Sequence, residues 1–140
     1  MINGNATLVG NVVSEPKQSV SLNGNDLARF RMVVQPRKFD QASGVWVDGT
    51  PSYYTVITRK GLAFNVLESL RVGDPIFVSG TIQVREWESG DQRRSSTEIY
   101  ANSIGHDLCR GVSMFRHVNR TVRPKQQSAN ASVSDATVAA

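Results

Sequence analysis

At 140 residues, the chain is long enough for one domain with a real core and too short for two ordinary ones. Its 39% hydrophobic and 20% charged residues suit a globular protein, no apolar run approaches the ~18 residues that span a bilayer, and the lone Cys109 excludes an intrachain disulfide framework or a cysteine-rich zinc site. The formal net charge of +4 is unevenly placed: Arg116, Arg120, Arg123 and Lys125 stand against Asp135 alone, so the preceding residues are close to neutral and any basic site must be sought in local clusters.

The first residues, Met1 to Asn5, lack the basic and apolar regions of a secretory signal, which points to the cytoplasm. Residues 7–13 are apolar and β-branched and predict a first strand. In residues 28–34, Ala28, Phe30, Met32 and Val34 alternate with Arg29 and Arg31, so one face is apolar and the other basic. Ser43-Gly44 and Asp48-Gly49 mark a long loop before a third strand over 53–58. Leu62, Val66 and Leu70 recur at helical spacing with Ala63 and Leu67 beside them, which predicts a helix over 62–71. It stops before Gly73, and Asp74-Pro75 prevents its continuation.

Residues 76–87 alternate again. Ile76, Val78, Ile82 and Val84 lie on one side, and Phe77, Thr81, Gln83, Arg85 and Trp87 on the other. Ser89-Gly90-Asp91 predicts a turn, with residues 95–103 returning as the hairpin partner. Gly10, Gly73 and Gly80 are expected at turns or bulges. Five strands with one short helix between the third and fourth predict an all-β OB-fold over residues 1–108. This is a five-stranded Greek-key barrel, here with long hairpin extensions. Residues 109–123 leave two readings open: an extra strand through Val112, Met114 and Val118 that lies across a neighbouring subunit, or a linker. Residues 124–140 contain no aromatic side chain and read as a disordered tail.

Several of these segments, taken together, resemble the core of the bacterial single-stranded DNA-binding protein family. They are Thr7-Leu8-Val9-Gly10-Asn11-Val12, Ala28-Arg29-Phe30-Arg31-Met32-Val33-Val34, Ser52-Tyr53-Tyr54-Thr55-Val56-Ile57, Leu62-Ala63-Phe64-Asn65-Val66 and Gly73-Asp74-Pro75-Ile76-Phe77-Val78-Ser79-Gly80. The resemblance implies a homotetramer that binds and protects single-stranded DNA without sequence preference, without a cofactor, in DNA replication, repair and recombination. The family's main members end in an acidic tip that docks replication and repair enzymes. This chain ends Ser134-Asp135-Ala136-Thr137-Val138-Ala139-Ala140, with one acid. The resemblance is therefore to a secondary paralogue that does not recruit replication enzymes through this C-terminus.

Binding a single strand without sequence preference needs flat π-faces for exposed bases and cations for phosphates. Trp87 ends an outward face that includes Arg85, just before the hairpin turn, and the family places a base-stacking aromatic here. The competing reading is a Trp half-buried at the barrel rim. Tyr53 and Tyr54 point to opposite faces; the resemblance assigns stacking to Tyr53 and the core to Tyr54, and the swapped assignment stays open. Phe39 follows Arg37-Lys38 in the long loop, where basic and aromatic residues interleave. Trp46 is either a second loop platform or an anchor packed on the barrel. The basic candidates for phosphate are Arg31, Arg37, Lys38, Arg59, Lys60, Arg85, Arg93 and Arg94. Arg59 departs from the family's usual aromatic, and a guanidinium can both stack and bind phosphate. Glu86 and Glu88 flank Trp87 and oppose phosphate binding.

Catalysis finds little support. His106-Asp107 lacks a nucleophile partner in the sequence, and there is no phosphate loop or metal-ligand spacing. Two non-catalytic alternatives remain: an OB-fold interaction module of the primosomal accessory type, and an RNA-binding OB domain. Cys109 is either a reduced thiol or, near a two-fold axis of a homo-oligomer, an intersubunit disulfide.

Overall fold

The computed structural model describes residues 3–118, so the predicted tail over 124–140 lies outside the described residues. The elements in chain order are β1 (Asn3–Val12), β2 (Lys17–Val20), β3 (Asp26–Val34), β4 (Arg37–Asp40), β5 (Val45–Asp48), β6 (Ser52–Arg59), α1 (Lys60–Ser69), β7 (Pro75–Ser89) and β8 (Gln92–His106). The six-stranded sheet runs β1-β7-β8-β6-β3-β2. It curls into a ring because the end of β1 also pairs with β3, at Asn11↔Val33 and Val12↔Met32. The five ring strands with one helix between β6 and β7 are the expected OB-fold.

Alternation decides what lies inside. Ala28, Phe30 and Met32 of β3, Val56 of β6, Ile76 and Val78 of β7 and Ile99 of β8 are buried, each at 8% exposure or less. All but Ala28 form one core with Val12, Val66 of the helix and Leu70 just beyond it. Burying side chains of this size stabilises by about 1.5–3 kcal/mol each, so the ring is held by this interior. The helix turns Ala63 and Val66 inward and covers the barrel. It begins two residues earlier than its apolar spacing predicts and ends at Ser69, where Leu70 adopts extended backbone as its cap while staying buried.

Two glycines permit close strand approach. A Cβ on Gly80 would overlap the Tyr100 carbonyl, where the β7–β8 register shifts and leaves Asn102 as the extra residue of a bulge. A Cβ on Gly10 would overlap the Val33 carbonyl. Gly10, expected at a turn or bulge, instead sits within β1 where the ring closes.

The long loop expected between the second and third ring strands is a hairpin of its own. β4 and β5 pair over Arg37↔Asp48 to Asp40↔Val45 as a separate two-stranded sheet. β8 is also longer than expected and includes His106.

Candidate nucleic-acid interface

Register places the outward side chains of the ring on one continuous face. Arg29, Arg31 and Val33 of β3 lie beside Ile57, Thr55 and Tyr53 of β6. Thr55 and Ile57 lie beside Glu98 and Tyr100 of β8. These in turn lie beside Gln83 and Thr81 of β7, and the face continues through Arg85↔Ser96 to Trp87↔Arg94. Tyr53 is 51% exposed, while Tyr54 packs against the core. The alternation thus turns Tyr53 outward and Tyr54 inward.

Two exposed rings of this face, Tyr53 and Trp87, each carry a guanidinium. Arg31 Cζ lies 5.8 Å from the Tyr53 ring centroid, and Arg31 Nη1 donates to Thr55 Oγ1 at 3.2 Å. Arg85 Cζ lies 5.6 Å from the Trp87 ring centroid. Cation–π contacts of this kind contribute about 0.5–1 kcal/mol when exposed. They hold each ring against its guanidinium. Trp87 is 41% exposed on an arm that β7 and β8 extend beyond the ring, closed by the turn at Gly90-Asp91.

The β4–β5 hairpin presents a second aromatic group. Phe39 and Trp46 are directly cross-strand, with ring centroids 5.6 Å apart in an edge-on arrangement. Trp46 is 60% exposed and packs on Phe39 rather than on the barrel. Arg37 shares their face, bonded to Asp48 at 3.4 Å and donating to the Trp46 carbonyl at 3.2 Å. Lys38 points to the other face, paired in register with Val47.

Acids already occupy part of the predicted cation set. Arg37 pairs with Asp48, Arg93 with Glu86 at 3.3 Å and Arg85 with Glu98 at 3.7 Å. Among the described residues, Arg31, Lys38, Arg59, Lys60 and Arg94 have no ion pair. Arg59 and Lys60 sit where β6 passes into α1, and Lys60 takes a left-handed backbone with φ 57. Sequence reasoning missed Glu98 and Tyr100. Glu98 is 4% exposed, and Tyr100 Oη donates to its Oε1 at 3.0 Å. Burial first, and then the bond and charge of Glu98, hold the Tyr100 phenol above its ordinary pKa. The period-2 alternation of residues 95–103 was the available signal, since it turns Glu98 to the face opposite the buried Ile99; its place beside Gln83 comes from the strand register.

His106 has partners that the sequence did not reveal. Its Nδ1 lies 2.8 Å from Ser113 Oγ and its Nε2 lies 3.3 Å from Asp74 Oδ2. Asp74 also accepts from the Arg71 amide at 3.0 Å, so the contact ties the chain after β8 to the loop before β7. That following segment has no regular structure over 111–118, and Arg116 reaches Glu68 of α1 at 3.6 Å. Cys109 is exposed, and its amide donates to Asp107. No group of three or more His, Cys, Asp or Glu that could hold a metal ion occurs among the described residues. No helix among them is long and apolar enough to cross a membrane.

This ring, with one helix between β6 and β7, defines a class: the OB-fold. The model of the single-strand binding protein family matches residues 4–107, and the chain belongs to that family. It is 42% identical over 113 residues to single-stranded DNA-binding protein 1 of Streptomyces coelicolor, covering 81% of this chain and 72% of the relative. The crystal structure of a small single-stranded DNA-binding protein from Streptomyces coelicolor superposes with a TM-score of 0.70 at 40% identity, covering 79% of this chain and 100% of that one. The structure of a Plasmodium falciparum SSB in complex with single-stranded DNA superposes at TM-score 0.59 and 21% identity, covering 76% of this chain and 94% of that one, and supports the fold.

Proposed function

We propose that this chain binds single-stranded DNA without sequence preference, by stacking bases on Tyr53 and Trp87 and neutralising phosphates with Arg31, Arg59 and Arg94. One observation carries the reading: these five side chains share one outward sheet face, and both rings are exposed. Phe39 and Trp46 on one face of the β4–β5 hairpin, Lys38 on its other face and Lys60 at the start of α1 add contacts beyond the ring. The relatives, named for single-stranded DNA binding, support the same ligand. The protein acts by binding rather than by catalysis, in the cytoplasm, where the chromosome's single strands arise. The domain that does so spans residues 1–108.

The working form is a homotetramer. In support, the outward face carries the exposed cross-strand pair Val9 and Phe77 at the end away from Trp87, and Val112, Met114 and Phe115 are almost wholly exposed in one protomer. Exposed apolar groups of this density mark an interface. If Cys109 lies near a two-fold axis, its copies meet, and thiol-blocked non-reducing electrophoresis separates a disulfide dimer from a reduced monomer.

Titration with oligo-dT at two salt concentrations, followed by tryptophan fluorescence, tests the ligand. Quenching with affinity that falls as salt rises is expected. An unquenched, salt-independent protein would instead support the interaction-module reading. A matched ribose oligomer that binds more tightly would favour RNA.

A further inference from the structure

The least expected group on the outward face is a buried acid. Glu98 sits at the centre of a surface proposed to meet a polyanion, yet it is 4% exposed. A buried carboxylate is costly unless both oxygens are compensated. Here both are. Tyr100 Oη donates to Oε1 at 3.0 Å, and Arg85 Nη1 lies 3.7 Å from Oε2. The same guanidinium stands 5.6 Å from the Trp87 ring centroid. Anion, cation and indole therefore form one chain leading from the barrel wall to the arm.

The geometry points to Glu98 as a positioning residue for the stacking platform: its carboxylate holds Arg85 against Trp87 and, by neutralising it, removes Arg85 from the phosphate-binding set. This deepens the single-strand reading and rests on it for the ligand. The physical reason is competition. A guanidinium whose charge is balanced by a buried carboxylate gains less from a solvated phosphate than a free one. Moving Arg85 to a phosphate would strand Glu98 in a site with one donor left, at the cost of an uncompensated buried charge. Arg85 accordingly stays with its acid and acts on DNA through the ring. Glu98 touches no base or phosphate in this account.

The test uses the full chain carrying Trp46→Phe, so that Trp87 is the only indole. In the free protein, Glu98→Gln and Arg85→Gln should each shift Trp87 emission and lower its anisotropy, and the double variant should add little to either. Gln preserves the volume of Glu98 and an acceptor for Tyr100. On oligo-dT, Glu98→Gln should steepen the plot of log affinity against log salt by about 0.7, the contribution of one added phosphate contact on a single strand. Arg85→Gln should leave that slope unchanged. Arg85→Gln leaves the Glu98 charge unpaired and can unfold the protein, so the double variant, which buries no unpaired charge, is titrated as well: its slope should match the parent's, and a slope flatter by about 0.7 overturns the second point. Two results overturn the inference: Trp87 emission indifferent to both substitutions, or a slope that flattens by about 0.7 in Arg85→Gln or in the double variant. If the parent protein binds no oligo-dT, the proposed ligand is wrong, and the free-protein emission still judges the Glu98–Arg85–Trp87 link.

Discussion

The two aromatic arms are built from the same parts and supported differently. The β7–β8 arm grows out of two ring strands, and its arginine is anchored on an acid buried in the barrel wall. The β4–β5 hairpin is a separate two-stranded sheet. Its arginine pairs with Asp48 on its own surface, and its rings lean on each other. An isolated two-stranded hairpin is marginal in water, and an exposed ion pair contributes about 0–1 kcal/mol. The first arm is thus pre-organised and the second adaptable. A strand of DNA gains more per ring from a platform that needs no ordering.

Substitutions can break that comparison at its base. Gly80→Ala forces a Cβ into the Tyr100 backbone within the ring, in the strands from which the β7–β8 arm extends. It should destabilise by about 1–3 kcal/mol in chemical denaturation. An unchanged midpoint would show that the strands are not held this closely.

Trp87→Ala should cost about 1–3 kcal/mol of oligo-dT affinity with little change in fold stability. Lost stability with retained affinity per folded molecule would mark Trp87 as a rim residue of the barrel. Trp46→Ala should cost less, under about 1 kcal/mol, because the adaptable arm must be ordered on binding. Phe39→Ala added to it should cost little more, since each ring supports the other; titration of both single variants and the double checks this. Arg59→Phe moves β6 toward the family pattern, and unchanged or tighter binding is expected. A severe loss would show that Arg59 holds a phosphate that no ring replaces.

The smallest effect is a titration. Tyr100 is an acid whose folded pKa is raised above its ordinary 10.0 by burial and by Glu98. The folded state then keeps the proton longer than the unfolded one. Its contribution to stability is complete below about pH 10 and is lost as pH rises through the folded pKa. Tyrosinate absorbance should show one late-titrating phenol, absent in Tyr100→Phe and earlier in Glu98→Gln.

How much of this was legible follows from range. Period-2 alternation is local, so the core faces of β3 and β7 and the outward turn of Arg31, Arg85 and Trp87 could be read directly. The helix could be read from Leu62, Val66 and Leu70, although its start at Lys60 could not, since no capping side chain marks it. The β4–β5 hairpin escaped because Arg37–Asp40 is polar and short, and its pairing rests on the Phe39–Trp46 contact across the turn. The ion pairs escaped for a different reason. Glu98 and Arg85 are 13 residues apart and meet only because the β7–β8 register sets them diagonally across the face. Charge counting made Arg85, Arg37 and Arg93 equal to Arg94; their acid partners make them unequal.

The central claim is that exposed rings on one sheet face select unpaired bases. It is tested most directly by competition between a single strand and a duplex of equal length, for the unaltered protein and for Trp87→Ala, at one salt concentration. The single strand should win with the unaltered protein, and the preference should shrink in Trp87→Ala while duplex affinity holds, because phosphate contacts serve both. Equal affinity for duplex and single strand in the unaltered protein would contradict the account.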